Sequence, residues 1–329
     1  MRIALDAMGG DHAPEQIVRG ALMAAPKLRH EVLLVGDPDK IRPHLAEACP
    51  SNIGIHPATE NIEMHEKPLD AIRRKKDSSL VVAANLVKSG EAQCVVSAGN
   101  TGACTAACLL AWRQIHGFHR PAIASLIPGI DRHFLLLDAG ASPDVDPEHL
   151  VEFALMGRAY AKSMMGRASP SVHLMNIGEE EGKGNAFSKQ SYALLSKYPW
   201  FRGNIEGKEL FRSGCDVVVC DAFVGNIVLK TAEGVAEFFV EAIRREVPKN
   251  PALRLMYAPL KRLMRRLARR MDYAEVGGSP LLGLNGNCII CHGRSNAKAI
   301  FNALLQAQAA VELDLVGQIR DSILEELKG

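Results

Sequence analysis

Short, continuous apolar runs alternate along the chain with longer segments in which apolar residues recur every three or four positions. The runs are typical of buried strands, and the wider spacing is typical of helices packed on a sheet. The predicted strands cover residues 3–6, 32–35, 93–97, 134–138, 172–177, 216–220 and 287–291. The predicted helices cover residues 14–25, 69–88, 101–114, 147–164, 188–195, 226–245 and 295–311, with further helix to residue 327. This alternation predicts an α/β fold with a mostly parallel sheet and helices on both faces.

Several predicted strands are followed by loops rich in small residues. These loops are residues 7–11, 97–102, 138–141, 178–185 and 221–226. Ligands of open α/β sheets bind beyond the carboxyl ends of the strands. Glycine lets the backbone approach a ligand closely, and the N–H groups that begin the next helix favour an anion. The sequence therefore predicts an anion site at this edge of the sheet, although tight turns use glycine without any ligand.

Composition places the chain among ordinary globular proteins. With 329 residues, of which 47% are hydrophobic and 23% charged, it is neither disordered, collagenous nor a coiled coil. We expect a single α/β domain of residues 1–329, because no Ser/Gly linker divides it. The apolar runs are too short to span a membrane, and the N-terminal residues do not resemble an export signal. We therefore expect a cytoplasmic protein whose eight cysteines are reduced.

Several motifs come close to known signatures but fail on a specific position. No G-x-G-x-x-G follows the first strand, residues 178–183 are one residue short of a P-loop, and residues 277–281 miss the nucleophile elbow. Residues 288–292 match haem attachment, but in a strand Cys288 and Cys291 point to opposite faces. The same geometry argues against zinc, so we predict no metal ion and no cofactor. Cys104 and Cys108 share a helix face and are typical of a packed core.

Seven segments in chain order carry a resemblance to a known family. They include MRIALDAMGGDHAP at residues 1–14, SAGNTG at residues 97–102, NIGEEEGKGN at residues 176–185 and DAFVGNI at residues 221–227. The others are residues 71–78, 135–140 and 292–293. Together they resemble the bacterial phosphate acyltransferases of phospholipid synthesis, the PlsX family. The sequence departs from the family at Cys104, Cys108, Cys288 and Cys291, and in the long acidic run at residues 179–181.

The resemblance implies a reaction and a set of partners. Acyl-[acyl carrier protein] and inorganic phosphate would give acyl phosphate and free carrier protein. The membrane glycerol-3-phosphate acyltransferase would then consume the acyl phosphate. The resemblance also implies a homodimer without a cofactor, and a three-layer Rossmann-like sandwich akin to phosphotransacetylases and isocitrate-type dehydrogenases. The alternatives are a short-chain phosphotransacetylase using coenzyme A, a dehydrogenase of related fold, and a non-enzymatic module that binds lipid surfaces or carrier proteins.

This reaction requires anion binding and oxyanion stabilisation more than proton transfer. Phosphate is already ionised, and the thiol formed from the leaving group has a pKa of about 8.5. The candidate catalytic residues are Asn100, Lys183 and Asn226, as donors or cations facing the oxyanion or the phosphate. The candidate phosphate-binding residues are Gly99, Thr101, Gly102, Asn185, Arg73 and Lys76. Each has a structural alternative: a helix cap for the residue 99–102 loop, a turn for the asparagines, and a solvated surface for the basic residues. The strand-end carboxylates Asp6, Asp138 and Asp221 are expected to orient loops, and His12 and His292 are weaker candidates for a general acid.

One segment is strongly basic and amphipathic. Residues 249–271 contain eight Lys or Arg and no acid, whereas the whole chain has 39 basic and 37 acidic residues. Its apolar stripe consists of Leu253, Met256, Leu260, Leu263, Leu267 and Met271. We expect residues 249–273 to project from the domain and to contact an anionic membrane or the acyl chain. Packing within a dimer is an equal alternative, and nucleic acid is disfavoured because no aromatic stacking platform follows.

Overall fold

The computed structural model describes residues 1–45, 49–246 and 273–326. The strands are β1 (Arg2–Asp6), β2 (Glu31–Gly36), β3 (Ile53–Pro57), β4 (Cys94–Ser97), β5 (Ala122–Ile123), β6 (Ser125–Pro128), β7 (His133–Leu137), β8 (Val172–Met175), β9 (Phe201–Ile205), β10 (Val217–Val219), β11 (Ser279–Leu282) and β12 (Asn287–Ile290). The helices are α1 (Glu15–Ala24), α2 (Pro38–Ile41), α3 (Pro68–Arg74), α4 (Ser79–Lys88), α5 (Thr101–Trp112), α6 (Pro147–Met165), α7 (Ala186–Leu195), α8 (Ala222–Glu246), α9 (Tyr273–Val276), α10 (Ala297–Glu312) and α11 (Leu315–Glu326). The predicted α/β class is confirmed.

The strands form two sheets, and each sheet with its helices makes one lobe. The first sheet has the order β3-β2-β1-β4-β12-β11-β5, and it is parallel from β3 to β12. The second sheet has the order β6-β7-β10-β8-β9, in which only β6 runs antiparallel to its neighbour. Because neighbouring parallel strands end at the same edge, the loops after β1, β4 and β12 meet on one lobe. The loops after β7, β8 and β10 meet on the other.

Strand alternation builds a hydrophobic core on each face of each sheet. In β7, Leu135 and Leu137 pack on one side with α6, while Phe134 and Leu136 pack on the other. In the same way, β12 sends Cys288 to one face of the first sheet and Cys291 to the opposite face. This confirms the prediction that the two thiols do not share a face, because successive side chains of a strand alternate. Helices therefore cover both faces of both sheets.

Within the described ranges, all seven predicted strands are present, and five more complete the two sheets. The single helix predicted over residues 69–88 is wrong, since the chain leaves the helical path between α3 and α4. At this break the Lys75 ammonium donates to the Asn61 carbonyl at 2.6 Å and pairs with Glu66 at 2.6 Å. The Asp77 carboxylate accepts hydrogen bonds from both the backbone and the hydroxyl of Thr59. These tertiary bonds replace the helical ones that a continuous helix would make.

The basic amphipathic segment at residues 249–271, with its stripe of six apolar residues, lies outside the described residues. Within the described part of the chain, no single helix is long and apolar enough to cross a membrane. Only α10 and α11 counted together, across a bend of 52°, reach that length and composition.

Candidate active site

A cleft of about 310 Å³ is lined by residues of both lobes. The first lobe contributes the loops after β4 and β12, and the second lobe contributes the loop after β7 and the first turns of α8. Its polar lining includes Thr101, Gly140, Asn226, Lys230, Glu233 and His292, and its apolar lining includes Met64, Ile123, Leu126, Leu229 and Val276. The cleft therefore has a polar part, with hydrogen-bond donors and charged groups, beside an apolar part.

The buried Asp6 carboxylate holds the start of α5 in position. It accepts hydrogen bonds from the hydroxyls of Ser79 at 2.6 Å and Ser97 at 2.7 Å. The Ser97 oxygen in turn accepts the backbone N–H of Gly99 at 3.1 Å. A Cβ on Gly9 would overlap the Asp6 carboxylate and the Gly99 backbone, so only glycine fits there. Burial raises the pKa of Asp6, and the serine hydrogen bonds oppose that rise.

Asn100 is the N-cap of α5 and also fastens a neighbouring segment. Its side-chain oxygen accepts the N–H of Ala103 at 3.0 Å. Its amide nitrogen donates to the carbonyls of Met64 at 2.9 Å and Glu66 at 3.2 Å. Because the amide is used in this way, the cleft receives the next residue, Thr101, whose exposed side chain begins the helix.

The buried Asp138 organises the second lobe's side of the cleft. Its two carboxylate oxygens accept four backbone N–H groups at 2.7 to 3.0 Å, from Ile123, Gly140, Ala141 and Ser142. Burial raises the pKa of Asp138, and these four bonds oppose that rise. Asn226 lines the cleft beside this loop and donates to the Ala139 carbonyl at 3.3 Å. The carboxylate of Asp221 accepts the N–H of Val224 at 2.9 Å, so all three predicted loop-orienting carboxylates accept local hydrogen bonds.

His292 lies two residues after the end of β12 and lines the cleft. Its Nδ1 accepts the backbone N–H of Arg294 at 3.2 Å, so the neutral ring carries its proton on Nε2. Partial burial lowers the pKa of His292 below its usual value, and the nearby Arg294 and Lys230 act in the same direction. Glu233 and Asp11 oppose this shift. The imidazole is therefore a neutral hydrogen-bond donor at neutral pH.

Seven of the nine sequence candidates do not line the cleft: Gly99, Asn100 and Gly102 at the start of α5, and Lys183, Asn185, Arg73 and Lys76 elsewhere. Lys183 lies on the loop between β8 and α7, with its ammonium half exposed and 3.8 Å from the Glu180 carboxylate. Asn185 caps α7 by accepting the N–H of Ser188 at 2.8 Å. Arg73 lies in the last turn of α3 and Lys76 lies two residues beyond its end, and both are exposed. The cleft thus unites Thr101 with Asn226, while Gly99 and Gly102 flank its helix start.

Sequence reasoning overlooked Lys230 and Glu233, which line the cleft on α8. A signal for Lys230 existed, since it follows Asn226 by four residues and residues at that spacing share a helix face. No ion pair of Lys230 within 4.0 Å occurs in the part of the chain that the structure describes.

Comparison with known proteins identifies relatives over nearly the whole chain. Residues 1–317 match the family described as "Fatty acid synthesis protein". The phosphate acyltransferase of Desulfitobacterium hafniense is 49% identical over 326 residues and covers 98% of both chains. That of Heliobacterium modesticaldum is 49% identical over 327 residues, with the same coverage. Among solved structures, a phosphotransacetylase from Streptococcus pyogenes has a TM-score of 0.63 at 16% identity, covering 95% of this chain and 94% of that one.

The fold and these relationships define the class of protein first: it is an α/β enzyme that transfers acyl groups. More particularly, the chain belongs to the phosphate acyltransferase family of fatty acid synthesis proteins. The resemblance read from the sequence motifs is therefore confirmed.

Proposed function

We propose that the chain transfers a fatty acyl group from acyl carrier protein to inorganic phosphate, releasing acyl phosphate and free carrier protein for phospholipid synthesis. The observation that carries this proposal is the cleft itself. Its helix start, amide and imidazole suit an anion and a developing oxyanion. Its wall of Met64, Ile123, Leu126, Leu229 and Val276 suits the adjoining alkyl chain.

In the proposed reaction, phosphate binds at the N-terminus of α5, beside the Thr101 hydroxyl. The first N–H groups of a helix have no partner within the helix, so they attract an anion. A phosphate oxygen attacks the thioester carbonyl without a general base, because phosphate is already ionised. The intermediate collapses with departure of the carrier thiolate. Lys230 offsets part of the negative charge that phosphate brings to the cleft.

Asn226 and His292 are the proposed oxyanion donors. The Asn226 amide gives one hydrogen to the Ala139 carbonyl and has a second for the oxyanion. The imidazole of His292 carries its proton on Nε2 and donates while remaining neutral. Asn100 acts by holding the start of α5. The loop that carries Lys183 and Asn185 follows β8 and lies at the same edge of the sheet as the loops after β7 and β10. In the proposed reaction, Lys183 reaches the phosphate or the thioester from the outer edge of the cleft.

The decisive experiment incubates palmitoyl-carrier protein with the purified protein, with and without phosphate. Phosphate-dependent release of free thiol together with acyl phosphate supports the proposal. An unchanged thioester rejects it. Turnover of acetyl-coenzyme A in place of the carrier substrate indicates instead a short-chain phosphotransacetylase. Vesicle binding with no thiol release indicates a binding module.

The proposed assembly is a homodimer bound peripherally to the inner face of the membrane. Helix α8 exposes five large apolar residues, Phe223, Ile227, Val235, Phe238 and Phe239. A second copy of the chain is the proposed cover for them. The basic residues Arg73 and Lys76 are proposed to meet the acidic carrier protein. The segment at residues 249–273 is proposed to contact anionic lipid or the acyl chain, near the membrane acyltransferase that takes acyl phosphate.

A further inference from the structure

Three buried cysteines from two elements converge in one hydrophobic core of the first lobe. Cys104 and Cys108 lie one helical turn apart on α5, and Cys288 lies on β12. Cys104 and Cys108 are fully buried, and Cys288 is 1% exposed. Their three sulfur atoms lie within 4.8 Å of one another, and the Sγ atoms of Cys104 and Cys288 are 3.5 Å apart. The prediction that Cys104 and Cys108 have only a packing role did not include the third thiol, which is 184 positions from Cys104.

A site made of three thiols favours some metal ions over others. Thiolate sulfur is a soft ligand and prefers Cu(I) or Zn²⁺ to Mg²⁺ or Ca²⁺. Structural zinc is almost always held by four ligands. Among the described residues, no fourth cysteine, histidine or carboxylate lies within 4.8 Å of all three sulfurs. Three sulfurs without a fourth ligand suit Cu(I) better than zinc.

We propose that Cys104, Cys108 and Cys288 form a three-sulfur site for one Cu(I) ion. Binding transfers no electron, and each thiol that becomes a thiolate ligand releases one proton to solvent. The bound ion joins α5 to β12. Because α5 begins at Thr101 and β12 leads to His292, the ion fastens together the two elements that carry these residues to the cleft.

Copper binding is measured directly on the full chain. Protein reduced and kept without oxygen is titrated with Cu(I) against a colorimetric Cu(I) chelator. In a parallel arm, the protein is purified from cells grown with added copper and its metal content is determined. The expected result is one copper per chain, with three sulfur neighbours in X-ray absorption. Zn²⁺ titrated in the same way is expected to bind more weakly. Tight zinc binding in place of copper would overturn the choice of ion.

Cysteine variants distinguish copper bound at the three-cysteine site from copper bound by any other thiol. Cys288→Ala is expected to lose the bound copper. Cys215→Ala, a buried cysteine in the core of the other lobe, is expected to keep it. Thermal unfolding and circular dichroism are compared for both, and Cys108→Ala replaces Cys288→Ala if the latter does not fold. Less than stoichiometric copper in both loading arms, or equal copper in the Cys288 and Cys215 variants, overturns the proposal. Copper content is measured without substrate, so it is independent of the acyl transfer proposed above.

Discussion

Asp6 and Asp138 direct their carboxylates at the protein's own hydroxyl and N–H groups, while the cleft is lined by Thr101, Asn226 and His292. The division has a physical reason. A carboxylate facing a bound phosphate would repel it, whereas a carboxylate behind the loop can hold the loop's donors in position. At Asp6 and Asp138 negative charge is thereby used for positioning, while the cleft lining combines the neutral donors Thr101, Asn226 and His292 with one basic and one acidic residue of α8.

Asn226→Ala is expected to lower turnover of palmitoyl-carrier protein by about 10²- to 10³-fold, the usual cost of losing one oxyanion donor. The matched control is Asn296→Ala. Asn296 caps α10 by accepting the N–H of Ala299 at 3.0 Å, so this variant loses about 1 kcal/mol of stability. Its turnover should stay normal. Steady-state rates and urea unfolding of the two variants distinguish the roles, and equal turnover in both would remove Asn226 from the reaction.

Lys183→Ala and Asn100→Ala are both expected to lower turnover in folded protein, for different reasons. Lys183 is half exposed, so its loss should leave the free energy of unfolding unchanged. Asn100 caps α5 and donates to two carbonyls, so its loss should also lower the free energy of unfolding by about 0.5 to 2 kcal/mol. Rates and chemical unfolding measure both effects. Near wild-type rates in both variants would exclude these residues from the mechanism.

The lowered pKa of His292 predicts that the free energy of unfolding depends on pH. Because partial burial lowers its pKa in the folded state, the unfolded chain binds a proton more readily. The contribution of His292 to the free energy of unfolding is complete when the pH lies above the pKa of the unfolded chain, which is about 6.5. It is lost as the pH falls through the lower pKa that His292 has in the folded state. His292→Gln should therefore flatten the fall in unfolding free energy on acidification. Urea unfolding at several pH values tests this, and parallel curves for both proteins would contradict it.

At the scale of elements, α8 is the helix that joins the cleft to the outer surface. Its first turns line the cleft with Asn226 and Lys230, and it also exposes Phe223 and Phe238 at the surface. Gly225 is the point of closest approach, since a Cβ there would overlap the carbonyl of Asp138. The position of α8 against the loop after β7 therefore depends on the absence of one side chain.

Gly225→Ala and Gly234→Ala form a matched pair within the same helix. Gly225→Ala is expected to lower the free energy of unfolding by about 1 to 3 kcal/mol, as overpacked sites do. At Gly234 a Cβ would meet no atom within 4 Å, so alanine there should raise the free energy of unfolding by up to about 1 kcal/mol through helix propensity. Chemical unfolding compares the two, and equal effects would mean that α8 tolerates displacement from Asp138.

At the scale of the whole molecule, the site depends on two lobes meeting. Neither sheet alone provides both a helix start for an anion and the α8 donors, because Thr101 and His292 belong to one lobe and Asn226 and Lys230 to the other. A change in the spacing of the lobes would alter the volume of the cleft without altering any single residue. The cleft is thus a property of the assembled chain.

Association with membranes is predicted from the sequence of residues 249–271. The double substitution Leu260→Glu with Leu263→Glu adds two negative charges to the apolar stripe, so it should weaken sedimentation of the protein with anionic vesicles. Urea unfolding identifies whether the variant is still folded. Undiminished vesicle binding by a folded variant would favour a packing role for the segment.

Local sequence patterns determined the class of fold, the positions of seven strands and the loops that surround the site, because burial and backbone propensity act over a few neighbouring residues. The motif resemblance also determined the family. The two-lobed arrangement, the division of the helix predicted at residues 69–88, and the meeting of His292 with Asn226 were decided by tertiary structure. So was the convergence of Cys288 with Cys104 and Cys108. These features depend on contacts between residues that are far apart in the chain. Local patterns of apolar and polar residues carry no information about such distances.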